Sequence, residues 1–327
     1  LRPGYGTYRL YGQTPENPQS HDELVVAKAL DVLPILARKR DPWCLYAGFI
    51  GPHDPYYVPG RFLDLYKPGD IRLPVSFDDR LRDKPAIYRR MRESLFGQLS
   101  RREVREGIRH YRAYCSYLDH AFGRILDALD KTGQSDNTLV LFCSDHGDYC
   151  GDHGLFAKGI PCFRGAYHVP AVVRWPAGIR NPGRRIPAFV SLADIAPTFT
   201  ALAGAKPLSQ LTGADLLPFL RNRRPAAWRD EMHTQCNGVE LYYTQRSVMT
   251  RRWKYIFNGF DRDELYDLRN DPDEMQNLAA GKAYDEVKRQ MCGRMWRFAL
   301  REGDTVLNPY ITVGLAPYGP GEAFASR

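Results

Sequence analysis

The sequence lacks any apolar run approaching the roughly 20 residues that a helix needs to cross a bilayer, so no membrane span is expected. It opens on Leu1-Arg-Pro-Gly with no initiator methionine, basic n-region or apolar h-region, so no secretory signal is visible, and a leader would have to lie upstream. A disulfide framework is also missing. The seven cysteines, at 44, 115, 143, 150, 162, 236 and 292, are odd in number and scattered, which favours reduced, mostly buried thiols and a cytoplasmic, reducing compartment. Nothing in the composition indicates disorder. At 327 residues and 43% hydrophobic content, the chain can bury one large domain with a smaller appendage. Its formal charge of +8 favours anionic partners. The basic residues concentrate between Arg80 and Arg112, where they alternate with Asp and Glu at helical spacing as on a solvated helix face. No nucleic-acid motif accompanies them, so a small anionic ester is the expected partner and nucleic acid is not.

What is present centres on Thr138-Leu-Val-Leu-Phe-Cys-Ser-Asp145-His146-Gly147-Asp148, followed by Tyr149-Cys-Gly-Asp152-His153-Gly-Leu-Phe-Ala-Lys158. Leu139 to Cys143 reads as a buried strand, short, apolar and bounded by polar turns. It delivers Asp145 and His146 beyond its carboxyl end, where ligands gather in open α/β sheets. Gly147, Gly151 and Gly154 allow the backbone to fold around that spot, and Lys158 returns a cation to it. An oxygen donor, an imidazole and an ammonium suit a divalent cation holding a tetrahedral oxyanion. The spacing Cys143-x2-His146-x3-Cys150-x2-His153 also imitates a zinc site. A ligand inside a strand is a poor fit to one, and the flanking aspartates give His146 a different role.

Asp22 to Arg40 is an amphipathic helix behind the cap Ser20, after an irregular entry over Leu1 to Ser20. Trp43 to Ile50 reads as a second buried strand. It hands His53 to a loop stiffened by Pro52, Pro55 and Pro59. As an isolated residue His53 would be a turn histidine; its place just past a strand end, repeated by Asp145-His146, favours a working role. Residues 60 to 100 form a surface excursion, and Arg102 to Thr132 a longer helix stopped by Gly133, with Asp119 and His120 on its surface. Val169 to Trp175 is a strand, Leu192 to Ala203 a short helix interrupted near Pro197, and Pro207 to Arg224 a loop with a short helical piece. This alternation predicts an α/β fold, a mostly parallel sheet sandwiched by helices. After Trp228 come strands Tyr242 to Met249, Trp253 to Phe257 and Glu264 to Leu268, then a helix over Tyr284 to Leu300 that docks on them through Val287, Met291, Met295 and Phe298. The expected division is 1–225 as a catalytic α/β domain, 226–302 as an antiparallel-sheet-plus-helix subdomain and 303–327 as an irregular tail.

Ser144-Asp-His-Gly-Asp, Gly151-Asp-His-Gly-Leu and Lys158 resemble the second signature region of the sulfatases, within the alkaline-phosphatase-like superfamily. Gly51-Pro-His53-Asp-Pro-Tyr, His168-Val-Pro-Ala-Val-Val-Arg and Glu264-Leu-Tyr-Asp-Leu-Arg-Asn-Asp-Pro-Asp-Glu-Met-Gln-Asn-Leu extend the resemblance over most of residues 20 to 300. It implies a sulfuric ester hydrolase with a divalent cation, usually Ca2+ with Mn2+ or Zn2+ as alternatives, and a formylglycine nucleophile made from Cys or Ser. By that resemblance Asp145 and His146 supply half of the metal shell, His53 protonates the departing alcohol and Lys158 neutralises charge on the sulfate or leaving oxygen.

The family's Cys/Ser-x-Pro-x-Arg nucleophile motif occurs nowhere in these 327 residues, and its paired first-strand aspartates are missing too. The expectation is a carboxyl-terminal two-thirds of an enzyme, without sulfatase turnover by itself. Asp followed by His rather than Asn also occurs in phosphonate monoester hydrolases of the superfamily, the nearest rival reading. A non-catalytic sulfatase-like binding protein is the third. A homo-oligomer is compatible with the sequence.

Overall fold

The computed structural model describes residues 9–206, 209–238, 242–259, 261–305 and 318–319. They fall into two compact units. The first gathers Leu1–Phe77, Glu93–Ala157 and Val169–Pro182, and the second Asp78–Arg92, Lys158–His168 and Gly183–Arg327.

In the first unit two long helices and two strand pairs alternate along the chain. The first helix, His21–Ala37, begins where Ser20 accepts the Glu23 amide, and the second, Arg101–Lys131, where Ser100 and Glu103 form a capping box. Gly133, at φ +74°, ends the second helix in the left-handed region. The helices face each other through Val26, Ala29 and Leu33 against Ala121, Ile125 and Leu129. Asp119 and His120 lie on the exposed side, as expected. Strand β1, Tyr11–Thr14, runs parallel to β2, Tyr56–Pro59, while β3, Val140–Cys143, runs antiparallel to β4, Ala171–Arg174.

Three expectations need correction. The entry segment is not wholly irregular, because Tyr11–Thr14 pairs with β2; residues 1–8 lie outside the described residues. Trp43–Ile50 is not a strand. Its alternation is real, since Trp43, Leu45, Ala47 and Phe49 pack on the helix cluster while Tyr46 is 91% exposed. Among the described residues, however, no ladder forms along it, and a strand needs a neighbour's amides and carbonyls as well as a period of two. Finally, β3 is half-buried rather than buried, because Phe142 stands opposite Val172 on a face that leaves both exposed.

The second unit is built on an antiparallel sheet in the order β5 (Met232–Gly238), β6 (Tyr242–Met249), β7 (Trp253–Asn258), β8 (Glu264–Asp267). The helix Asp285–Arg301 docks on it, burying Met291, Met295 and Trp296 against Val248, Tyr255, Phe257 and Leu265. The Leu192–Ala203 segment divides as the proline foretold, into a turn of 3-10 helix at Leu192–Asp194 and an α-helix at Ile195–Leu202 with Pro197 in its first turn. Of the expected tail, residues 306–317 and 320–327 lie outside the described residues. Among the described residues no helix is long and apolar enough to cross a membrane.

Candidate functional site

The backbone past β3 turns at once. Asp145 Oδ1 accepts the His146 amide at 2.9 Å, and Ser144 Oγ donates to the His146 carbonyl at 2.7 Å. His146 Nδ1 lies 2.8 Å from the Gly147 carbonyl, which can only accept. The neutral ring therefore carries its proton on Nδ1 and its lone pair on Nε2, 3.8 Å from Asp145 Oδ2. Asp145 is exposed and His146 half-buried.

The chain then closes a small loop. Tyr149 donates its amide to Ala157 and Gly151 donates to Leu155, with Gly151 and Gly154 both at positive φ. Three non-glycine residues, Cys150, His153 and Ala157, share that region, which costs backbone energy and needs outside support. Asp148 supplies it. Its Oδ1 accepts the Cys150 and Ala157 amides at 2.7 and 3.0 Å, and its Oδ2 accepts the Tyr56 hydroxyl at 2.6 Å. Desolvation pushes the Asp148 pKa up to about 7, opposed by those three bonds, while the Asp54 charge adds to the rise.

His53 sits on the loop before β2. Its Nδ1 donates to the Asp54 carbonyl at 2.7 Å and lies 3.3 Å from Asp54 Oδ1, so the neutral ring carries its lone pair on Nε2. The loop hangs from Asp22, whose buried carboxylate accepts the Ile50 and Gly51 amides at 2.8 and 3.3 Å and the Tyr114 hydroxyl at 2.9 Å. These supports bring the His53 and His146 rings edge to face, with centroids 5.7 Å apart and planes at 77°.

Of the four residues singled out from sequence, His53, Asp145 and His146 therefore meet in the first unit. Lys158 opens the Lys158–His168 stretch of the second unit, where it is half-buried. Asp145 Oδ2 and His146 Nε2, 3.8 Å apart, are an oxygen and a nitrogen donor of the kinds that would hold a divalent cation together. Among the described residues no group of three or more His, Cys, Asp or Glu is arranged to hold a metal, so this pair fits part of a shell and not a whole one. Sequence reasoning passed over Asp22, Tyr56 and Asp148. Only Asp148 carried a signal, as the fourth member of Asp-His-Gly-Asp; the partners of the other two are far away along the chain.

Comparison with known proteins gives the chain's family and fold. The family model Sulfatase matches residues 4–205, and the one described as N-sulphoglucosamine sulphohydrolase, C-terminal, matches residues 151–301. The choline-sulfatase of Rhizobium meliloti is 33% identical over 277 residues, covering 80% of this chain and 52% of that protein. A multifunctional alkaline phosphatase superfamily protein of Trinickia caryophylli is 27% identical over 303 residues, covering 84% and 58%. The chain thus spans about half the length of these relatives. Among solved structures, the phosphonate monoester hydrolase of Agrobacterium radiobacter superposes with a TM-score of 0.77 at 25% identity, over 89% of this chain and 64% of that one. The fold is accordingly the α/β fold of the alkaline-phosphatase-like proteins. The chain belongs to the sulfatase family.

Proposed function

We propose that this chain carries the acid and part of the cation site of a sulfuric ester hydrolase acting on a small anionic ester. The observation that carries the reading is the meeting of His53 with Asp145-His146, two loops distant in sequence whose imidazoles stand 5.7 Å apart. Asp145 Oδ2 and His146 Nε2 would hold a divalent cation, calcium being the family's usual one, with its remaining donors from outside this set. When bound, such a cation binds sulfate oxygens and offsets the charge that builds on them.

The chain's own residues do the rest. The Nδ1 bond of His53 to Asp54 orients the ring, and in its imidazolium form, with both nitrogens protonated, His53 would give the Nε2 proton to the departing alkoxide and revert to the neutral Nδ1–H ring, a contribution on the order of a hundred- to ten-thousandfold. The same type of bond at His146 keeps Nε2 unprotonated, so that its lone pair would be available to such a cation. These 327 residues lack the motif of the family's formylglycine nucleophile, so turnover of this kind would need that nucleophile supplied from elsewhere.

A second reading, hydrolysis of phosphonate or phosphate monoesters, is favoured by the Asp-His pair and by the fold likeness to a phosphonate monoester hydrolase. The test compares an aryl sulfate with a phosphonate monoester in a full-length form carrying the nucleophile. Faster sulfate turnover, lost in Asp145→Ala, supports the first reading. Faster phosphonate turnover supports the second, and undiminished activity in Asp145→Ala overturns both.

A further inference from the structure

Asp148 stands between the two loops of the site without belonging to either reactive set. Its carboxylate is held at both oxygens, with two amides of the 148–157 loop on Oδ1 and the Tyr56 hydroxyl on Oδ2. It cannot rotate without breaking one of these bonds. Tyr56 is equally fixed. It is fully buried, edge to face with Tyr111 at 5.4 Å and tilted against Phe156 at 6.3 Å, so its ring has no room to follow a moving partner. Tyr56 lies three residues after His53, and Asp148 two after His146. The single O–H···O bond therefore closes a covalent and hydrogen-bonded circuit from one imidazole to the other.

We propose that Asp148 is a positioning residue, which through Tyr56 sets the distance and angle between His53 and His146. This rests on the reading above only in taking those imidazoles as the working parts of the site. The buried, low-dielectric surroundings strengthen the 2.6 Å bond from the Tyr56 hydroxyl to Asp148, and the strained backbone of the 150–157 loop has no other side-chain acceptor on its Cys150 and Ala157 amides among the contacts described. Loss of the Tyr56 bond frees the His53 loop from the 148–157 loop while leaving the latter's own bonds intact. Loss of the Asp148 carboxylate frees both.

The test uses the chain itself with 15N-labelled histidine. Of the eight histidines, His53 and His146 should give a ring-to-ring NOE in the parent. In Tyr56→Phe, which keeps the buried ring, and in Asp148→Ala, that cross-peak should fall by at least half, and the ring nitrogen shifts of His53 and His146 should move while those of His21 and His120 stay. An unchanged cross-peak in Tyr56→Phe overturns the proposal. So does collapse of all eight signals in both variants, because the bond would then hold the fold rather than the pair. Mn2+ added to the parent forms a separate arm: its failure to broaden His146 counts against the metal reading and leaves the NOE comparison standing.

Discussion

The carboxylate of Asp22, on the first turn of the first long helix, accepts the backbone N–H of Ile50 at 2.8 Å, so the loop that presents His53 is fastened to a helix cap region rather than to a sheet. Asp22 is 1% exposed and serves three donors. Removing a buried charged acceptor leaves those donors unpaired. Asp22→Ala is expected to lower the unfolding free energy by about 2–4 kcal/mol, and Tyr114→Phe, which removes one donor, by about 1 kcal/mol. Urea unfolding of the two variants checks the ratio; equal losses would mean that the Ile50 and Gly51 bonds contribute nothing.

Two glycines of the first unit should respond to alanine with opposite signs. A Cβ on Gly51 would stand 2.6 Å from Tyr114 Cε2 and 2.7 Å from its Cζ, in a ring that its own bond to Asp22 holds in place. Gly51→Ala is therefore expected to cost about 1–3 kcal/mol through overpacking. Gly123, inside the Arg101–Lys131 helix, would meet nothing within 4 Å. Gly123→Ala should stabilise by about 0.5–1 kcal/mol through backbone entropy. Thermal unfolding midpoints moving in the same direction would contradict this local packing.

Glu231 provides a pH test in the second unit. Its hydrogen bond with His233, then that with Arg294, holds its pKa down at about 2. A carboxylate whose folded pKa is depressed stabilises the fold fully above its unfolded value near 4.5 and loses that contribution as pH falls toward 2. Because the side chain is part-exposed, solvent screening reduces the effect to about 1–2 kcal/mol. The stability difference between the parent and Glu231→Gln should thus be full at pH 7 and shrink between pH 4.5 and 2. A difference that stays constant across that range would show that the charge is not what the bonds recognise.

How much of this was legible depended on how far each signal reached. The two long helices could be read because a cap at Ser20, acting within three residues, and a stop at Gly133 bracket their apolar faces; the Ser100 cap of the second was seen only in the structure. Strands β6 to β8 could be read because alternating β-branched and aromatic residues meet within one hairpin after another. The edge strand β5 was missed, since Met-His-Thr-Gln-Cys-Asn-Gly is too polar to announce a ladder that only its partner supplies. Trp43–Ile50 failed the other way, with alternation but no ladder. At the site, His53, Asp145 and His146 were visible as chemistry placed just past apolar runs. The Tyr56–Asp148 and Asp22–Tyr114 bonds each join residues 92 positions apart and leave no local pattern.

The claim on which the account turns is that His53, Asp145 and His146 form one cation-reading cleft. Mn2+ titration of the histidine-labelled chain tests it most directly, because paramagnetic broadening reports even weak binding by part of a shell. The account predicts that the His146 and His53 ring signals broaden at Mn2+ concentrations that leave the exposed His21 and His120 sharp, and that Asp145→Ala removes the effect. Uniform broadening of all exposed histidines, or selective broadening that survives Asp145→Ala, would contradict it.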